Sequence, residues 1–208
     1  MASSAAGLAP ADALPVDDAL RARMDAVIRD GRQVWERFDR EVRRNGFHPF
    51  IPADYTRVLE GLLAVRAPGE RFLEWGSATG VITILADLLG FEAYGIELDP
   101  RLVGEARELA ARHGSAARFE AGSLFPDGYR YRDRTGDPRT GTLGDGVSAY
   151  ARLGHPLHDF DVVYGYPWDG EAPVMHDLMR RRGARGARLL LLDGTAGVQV
   201  FRGGAQVH

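Results

Sequence analysis

The sequence contains no cysteine and no lysine, and its apolar runs are short. Without cysteine, disulfide bonds, thiolate metal sites and cysteine nucleophiles are excluded, so packing has to hold the fold. The longest apolar stretches are interrupted by Asp87 and Glu92, well short of the roughly 20 residues that span a bilayer. We interpret the arginine-only basic set, with abundant alanine and glycine, as a record of GC-rich, bacterial-type coding and give it no functional meaning.

Length and charge narrow the class of protein. A chain of 208 residues with 45% hydrophobic residues is sufficient for one domain with its own core. The formal net charge of -3 argues against a surface that neutralises many phosphates, and so against nucleic acid as a partner. Residues 1–15 lack the basic start and apolar core of a signal peptide and predict a flexible tail. We therefore expect a cytoplasmic protein with no membrane association.

The rest of the chain divides into a helical segment and an α/β domain. Over residues 16–66 the apolar positions predict one long helix or a pair, followed by a second helix that begins after Pro52. Residues 67–208 alternate between strand and helix, which predicts a parallel sheet with helices on both faces. The predicted strands cover residues 72–75, 91–97, 117–121, 160–164 and 187–192. Ligands in such sheets bind beyond the carboxyl ends of the strands.

Two parts of this domain depart from the regular alternation. Residues 124–158 are charged and turn-forming, which is typical of a lid or binding loop. After the fifth strand the pattern predicts at most one more, at residues 198–202, so the carboxyl-terminal end of the sheet is abbreviated. Because an open edge of apolar strands is hazardous, we expect a homodimer or a cover supplied by the amino-terminal helices.

Two motifs point to a ligand. The first, RFLEWGSATG at residues 71–80, predicts a strand that passes through an acid and a small-residue turn into a helix. The small residues let the backbone approach a ligand, and the start of the helix offers unpaired amides. The second, YGIELDP at residues 94–100, places Glu97 at a strand tip, 23 positions after Glu74 (97 minus 74), about one strand-helix-strand step. Together they predict a nucleoside-binding site, in which Glu97 accepts hydrogen bonds from ribose hydroxyls.

These motifs resemble those of the class I S-adenosylmethionine-dependent methyltransferases, whose first motif is apolar-apolar-acid-x-Gly-x-Gly-x-Gly and whose second strand ends in an acid. The resemblance covers residues 72–192 and implies a three-layer, Rossmann-like, mostly parallel sheet that binds S-adenosylmethionine. It implies that Glu74 helps to hold the amino group of the cofactor, that Glu97 binds the ribose, and that Leu98 lies against the adenine. The full set of cofactor-binding residues that it implies is Glu74, Gly76, Ser77, Ala78, Gly80, Glu97, Leu98, Ser123 and Tyr164.

Two positions depart from the family pattern. Ala78 stands where the family often has its middle glycine, and we expect it to keep a negative φ. Ser123 stands where many members carry an aspartate that binds the adenine amino group. A serine hydroxyl or a backbone carbonyl would have to accept that bond instead.

The segment DVVYGYPWDG at residues 161–170 resembles the fourth motif of the family, which faces both cofactor and substrate. Gly165 replaces the side chain that grips an exocyclic amine, which disfavours base N-methylation. Tyr164, Tyr166 and Trp168 would form an aromatic wall for a planar, apolar or cationic acceptor, with Tyr166 and Trp168 as substrate-binding residues.

Most catalysis of methyl transfer can come from positioning, and a general base helps only if the acceptor is a hydroxyl or a protonated amine. His155, His158, Tyr166 and Asp169 lie near the fourth strand in sequence; Tyr166 and His158 are the predicted catalytic residues. No metal site is expected. We predict O- or N-methylation of a small-molecule acceptor. Two alternatives stay open: a non-catalytic S-adenosylmethionine-binding scaffold or partner protein, and a nicotinamide-dependent oxidoreductase, although the Gly-x-Gly-x-x-Gly order is absent.

Overall fold

The computed structural model describes residues 16–45, 51–131, 142–168 and 170–207. The predicted tail at residues 1–15 and the candidate Asp169 lie outside the described residues, as does part of the predicted 124–158 loop.

The described residues form a single mixed sheet in the order β3-β2-β1-β4-β5-β6-β7. The strands are β1 (Arg71–Trp75), β2 (Glu92–Glu97), β3 (Arg118–Ala121), β4 (Val162–Gly165), β5 (Arg188–Asp193), β6 (Gly197–Arg202) and β7 (Ala205–Gln206). The first five strands are parallel. Strand β6 pairs antiparallel with β5, and β7 pairs antiparallel with β6. The chain builds outward from β1 in one direction and then returns to β4 on its other side. The β1/β4 junction is therefore the switch point where such sheets bind ligands.

Helices cover both faces of the sheet and produce two cores. The helices are α1 (Asp18–Asn45), α2 (Tyr55–Ala64), α3 (Val81–Leu88), α4 (Pro100–Arg112), α5 (Tyr150–Leu153) and α6 (Ala172–Arg182), with a 3-10 helix at Leu157–Asp159. The first four pack on one face and α5 and α6 on the other, which confirms the three-layer architecture. Alternating strand residues serve the two cores: Phe72 packs with the first group and Leu73 with the second.

Helix α1 is continuous through Gly31, so the first of the two predicted arrangements, one long helix, is the one that forms. A Cβ at Gly31 would lie 2.2 Å from Cγ2 of Val81, so the glycine lets α1 pack closely on the start of α3. Close packing, not a turn, explains this glycine. Among the described residues no helix combines the length and apolarity that crossing a bilayer requires.

The carboxyl-terminal end has one strand more than the sequence predicted. The two-residue β7 pairs with β6 as a hairpin and is too short to show any hydrophobic period. Helix α2 packs over β6, where a Cβ on Gly61 would lie 2.6 Å from Cγ1 of Val198. Arg57 also donates from α2 to the carbonyl oxygens of Gly194 and Thr195. Helix α2 therefore covers β6 on one face of the sheet, and the homodimer stays a prediction.

Candidate functional site

The turn after β1 is held in left-handed backbone conformations. Gly76, Ala78 and Gly80 have φ values of 72°, 46° and 78°, so the predicted negative φ at Ala78 is wrong. In the described residues Ala78 alone has a positive φ without being glycine. Its amide donates to Oε2 of Glu97 at 2.9 Å, which offers a reason for the strain. The turn and the β2 tip are thus bonded into one unit.

Glu97 lies at the tip of β2, partly buried, with each oxygen engaged by one backbone amide. Oε2 accepts from Ala78 and Oε1 from Asp99, both at 2.9 Å. Burial raises the pKa of Glu97, and the amide bonds oppose that shift. The Leu98 amide also favours the charged form, and since a carboxylate has about four lone-pair sites, acceptor capacity remains for a ligand. A diol is a ligand that would supply two donors.

Glu74 is a buried acid on β1 that is tied to the first turn of α3. Its Oε2 accepts from the backbone amide of Thr83 at 2.9 Å and from the Thr83 hydroxyl at 2.5 Å. Burial raises the pKa of Glu74 to about 8, against the lowering effect of the Thr83 bonds. Because both bonds use Oε2, Oε1 remains for a ligand, and a cation beside it would favour the ionised form.

Two buried polar atoms of the cavity lack partners among the described residues. These are the hydroxyl oxygens of Ser77 and Tyr164, whose residues are 3% and 1% exposed. An unsatisfied buried hydroxyl costs about 1–3 kcal/mol, so such groups call for a ligand or water. Tyr55, from α2, approaches the same region; burial and then the charge of Glu74 raise its pKa, which keeps its hydroxyl neutral.

One cavity brings together most of the predicted site. It is lined by Glu74, Gly76, Ser77, Ala78, Glu97, Leu98, Tyr164, Tyr166 and Trp168. Leu98 is 38% exposed, so an apolar surface is available beside the Glu97 carboxylate. Only Gly80, Ser123 and His158 of the predicted residues do not line this cavity.

Gly80 and Ser123 have structural positions instead. A Cβ on Gly80 would lie 2.7 Å from the ring of Phe119, so this glycine serves the packing of α3 against β3. The Ser123 hydroxyl donates to the carbonyl oxygen of Gly144 at 2.8 Å, and its oxygen accepts from the Phe125 amide at 3.2 Å. The hydroxyl is therefore engaged within the protein, not directed at an adenine.

His158 lies at the opposite end of the strands from the cavity, so it is not placed for a catalytic role. It belongs to the 3-10 helix that precedes β4, at the amino end of the strand, whereas the cavity lies at the carboxyl ends. Its side chain is 66% exposed. His155 packs edge-on against Tyr94 at 5.2 Å between ring centroids. Nearness in sequence to β4 misled the prediction because it ignored strand direction.

Several residues of the site were not predicted. Tyr55, from α2, and Thr142, beside Gly76, line the cavity. Glu171 accepts hydrogen bonds from two segments near the cavity. Oε1 of Glu171 accepts from the Leu143 amide at 2.9 Å and Oε2 from the Trp168 amide at 3.0 Å. No local pattern marks these residues, since each reaches the site through tertiary contacts. The described residues include no group of three or more histidine, aspartate or glutamate side chains that could hold a metal ion.

Comparison with known proteins places these features in context. No family model matches the chain. It is 39% identical over 70 residues to the ribosomal protein L11 methyltransferase of Thermus thermophilus, covering 33% of this chain and 28% of that protein. It is 36% identical over 88 residues to a lysine N-methyltransferase of Xenopus laevis that is named for ATP synthase, covering 41% and 39%. The matched part of the chain thus spans well under half of each relative.

Solved structures give weaker likenesses. An RNA methyltransferase from Salinibacter ruber, in complex with S-adenosyl-L-homocysteine, is 20% identical, with a TM-score of 0.49 and coverage of 68% of this chain and 76% of that chain. A precorrin-6y C5,15-methyltransferase from Geobacter metallireducens is 15% identical, with a TM-score of 0.47 and coverage of 70% and 65%. The expectation that excludes nucleic acid as a partner stays a prediction.

Proposed function

We propose that this chain, a relative of the class I S-adenosylmethionine-dependent methyltransferases, binds S-adenosylmethionine in the cavity at the tips of β1 and β2 and transfers its methyl group to an acceptor beside β4. The observation that carries this proposal is the Glu97 carboxylate, which backbone amides hold at the tip of β2, in the same cavity as the exposed Leu98. The curated relatives are both methyltransferases by name, which supports the same conclusion.

The residues of the cavity fit the three parts of this cofactor. Glu97 would accept hydrogen bonds from the ribose hydroxyls, and the exposed face of Leu98 would pack against the adenine. Oε1 of Glu74 and the first turn of α3 would hold the amino-acid end. The unpartnered hydroxyls of Ser77 and Tyr164 add polar atoms at the same end of the cavity.

When bound, the cofactor supplies an electrophilic methyl group on a sulfonium. The work of the chain is then to hold the acceptor atom near that methyl carbon and to exclude water. Tyr55, Tyr164, Tyr166 and Trp168 surround this part of the cavity with aromatic rings, which suits a planar or cationic acceptor. Tyr166 lines the same cavity, and its phenolic oxygen would accept a hydrogen bond from an acceptor hydroxyl or amine and so orient it.

The acceptor that we propose is a small molecule methylated on oxygen or nitrogen. A protein amine is the second candidate, and it is favoured by one observation: one relative is named as a lysine N-methyltransferase and the other as a methyltransferase of a ribosomal protein. An aromatic recess fits either an alkylammonium chain or a small planar amine.

Calorimetry with S-adenosylmethionine and S-adenosylhomocysteine on the wild type and Glu97→Ala tests the cofactor site. Glu105→Ala is a matched control, because Glu105 pairs with Arg37 between α4 and α1 and is not among the residues that line the cavity. We expect binding by the wild type and the control and its loss in Glu97→Ala. Equal binding by all three proteins would show that the pocket assignment is wrong.

Transfer of a labelled methyl group then separates the acceptors. Panels of small phenols and amines and of lysine-containing peptides are compared at saturating cofactor. Transfer to the peptides alone would replace the small-molecule proposal with the protein amine. Cofactor binding without any turnover would favour the scaffold alternative. A rise in melting temperature with a nicotinamide cofactor, but not with S-adenosylmethionine, would favour the oxidoreductase.

A further inference from the structure

The strongest unassigned feature is a short segment, residues 142–146, that begins at Thr142 in the lining of the cavity and that we call the strap. At one end the methyl group of Thr142 lies against Gly76, where an added Cβ would come within 2.6 Å. Two residues further along the strap, a Cβ added at Gly144 would lie 2.2 Å from Cδ1 of Leu98. The strap thus runs between the two residues that mark opposite ends of the proposed cofactor.

Hydrogen bonds fix the strap to its neighbours. The Thr142 hydroxyl donates to the carbonyl oxygen of Tyr166 at 3.0 Å. The carbonyl oxygen of Gly144 accepts from Ser123 at 2.8 Å. Between these two points the Leu143 amide donates to Oε1 of Glu171 at 2.9 Å. The central bond differs from the others because it involves a carboxylate, which makes a stronger hydrogen bond than a neutral acceptor.

Glu171 joins the strap to the acceptor side of the cavity. This residue is only 6% exposed and stands immediately before α6. Its second oxygen accepts from the Trp168 amide at 3.0 Å, so a single carboxylate receives one bond from the strap and one from the aromatic wall. Both partners are donors, and both carboxylate oxygens are acceptors. A glutamine would satisfy only one amide and would present its own N–H groups to the other.

We propose that Glu171 is a positioning residue that latches the strap as the outer wall of the cofactor cavity and couples that wall to Trp168. This inference rests on the proposed function for the identity of the cofactor. The latch itself is a property of the ligand-free chain. Without the bonds to Glu171, ligand binding would have to order the strap. The entropy lost in that ordering would speed dissociation of the ligand.

The test compares Glu171→Gln with Glu105→Gln, which also replaces a single paired carboxylate. Amide hydrogen exchange of the ligand-free proteins is measured at Leu143 and Trp168, and the dissociation rate of S-adenosylhomocysteine is measured by stopped flow. In Glu171→Gln we expect at least tenfold faster exchange at one or both amides and about tenfold faster dissociation. The control should match the wild type in both measurements.

The outcomes separate the two proposals. If the wild type does not bind S-adenosylhomocysteine, the proposed function is wrong. If the wild type binds and Glu171→Gln leaves either exchange or dissociation unchanged, the positioning role is wrong. A variant that loses its folded structure by circular dichroism would be replaced by the second pair of variants.

Gly144→Ala displaces the strap without touching the latch. Gly144 has no positive φ, and the added methyl group would meet the far end of the flexible Leu98 side chain, so the backbone can accept alanine while the strap shifts. Gly186→Ala is its control, because nothing lies within 4 Å of the added Cβ there. We expect Gly144→Ala to release S-adenosylhomocysteine several-fold faster than Gly186→Ala. Equal rates would overturn the view that the strap walls the cavity.

Discussion

The two halves of the cavity are built in different ways. The cofactor half comes from one strand-helix-strand unit, in which Glu74, Ala78 and Glu97 are joined by bonds to nearby backbone amides. The acceptor half is assembled from α2 and the connection between β4 and α6, and Glu171 and the strap join it to the cofactor half. The residues of the first half are close in sequence. Those of the second half are brought together only by long-range contacts in the folded chain. Substitutions in one half should therefore leave the other largely intact.

The largest effect is expected from Glu97→Ala. A hydrogen bond to a charged group contributes about 1.5–3 kcal/mol, and this variant would lose those that its two oxygens would make to a ribose. It also removes the bond that supports Ala78. We expect the Kd for S-adenosylhomocysteine to rise about 100-fold by calorimetry. A rise below threefold would mean that the carboxylate does not contact the ligand.

Glu74→Gln should change stability and binding in opposite directions. The pKa of Glu74 is raised from 4.5 to about 8 in the folded chain, so the folded state holds a proton that the unfolded state releases between these values. Stability therefore falls as the pH rises through this window, by up to about 1.4 kcal/mol per pH unit. Glutamine cannot ionise and can still accept from Thr83, so the variant should lose this decline.

Thermal melts of the ligand-free proteins between pH 5.5 and 8 test this prediction, with Glu105→Gln as the control. We expect the wild type and the control to melt progressively lower as the pH rises, and Glu74→Gln to change less. Its affinity for S-adenosylhomocysteine should nevertheless fall about tenfold, since no carboxylate remains for the ammonium group. Parallel melting curves for all three proteins would contradict the raised pKa of Glu74.

The positions of the residues in the cofactor half could be predicted from the sequence because their signals are local, while their binding roles stay predictions. Glu74, Gly76 and Glu97 stand at strand tips, and the alternation of strands and helices places those tips at the same edge. The left-handed φ of Ala78 was missed because it depends on a bond to Glu97, on the next strand. The binding role of Gly80 stays a prediction, because a glycine needed for packing against Phe119 has the same letter as one needed by a ligand.

The acceptor half was predicted only in its aromatic residues. Tyr166 and Trp168 follow a recognisable strand, but Tyr55 and Thr142 come from segments with no motif. The misplacement of His158 and the missed β7 have a common origin, which is that sequence proximity gives neither the direction of a strand nor the pairing of a two-residue one. Long-range contacts carry that information.

Trp168→Ala should affect the acceptor half alone. Loss of one aromatic wall contact costs about 1 kcal/mol or more, so kcat/KM for the acceptor should fall roughly tenfold. We assign the Trp168 side chain to the acceptor half, and the bond from its backbone amide to Glu171 survives the substitution. The Kd for S-adenosylhomocysteine should therefore stay within about twofold of the wild type. A cofactor defect as large as the acceptor defect would show that the two halves are not separable.

The smallest effect is expected from Ala78→Gly. A left-handed conformation costs a non-glycine residue about 1 kcal/mol, and glycine removes that cost while adding freedom to the unfolded chain. The net expectation is a gain of roughly 0.5 kcal/mol in unfolding free energy by urea titration. Ala116→Gly is the control: this exposed loop residue has no positive φ, so glycine there should only destabilise. Because the bond from residue 78 to Glu97 uses the backbone amide, cofactor affinity should not change. If both variants lose stability equally, the backbone at Ala78 is not strained. The hydrogen bond from the Ala78 amide to Glu97 would then have no strain to offset.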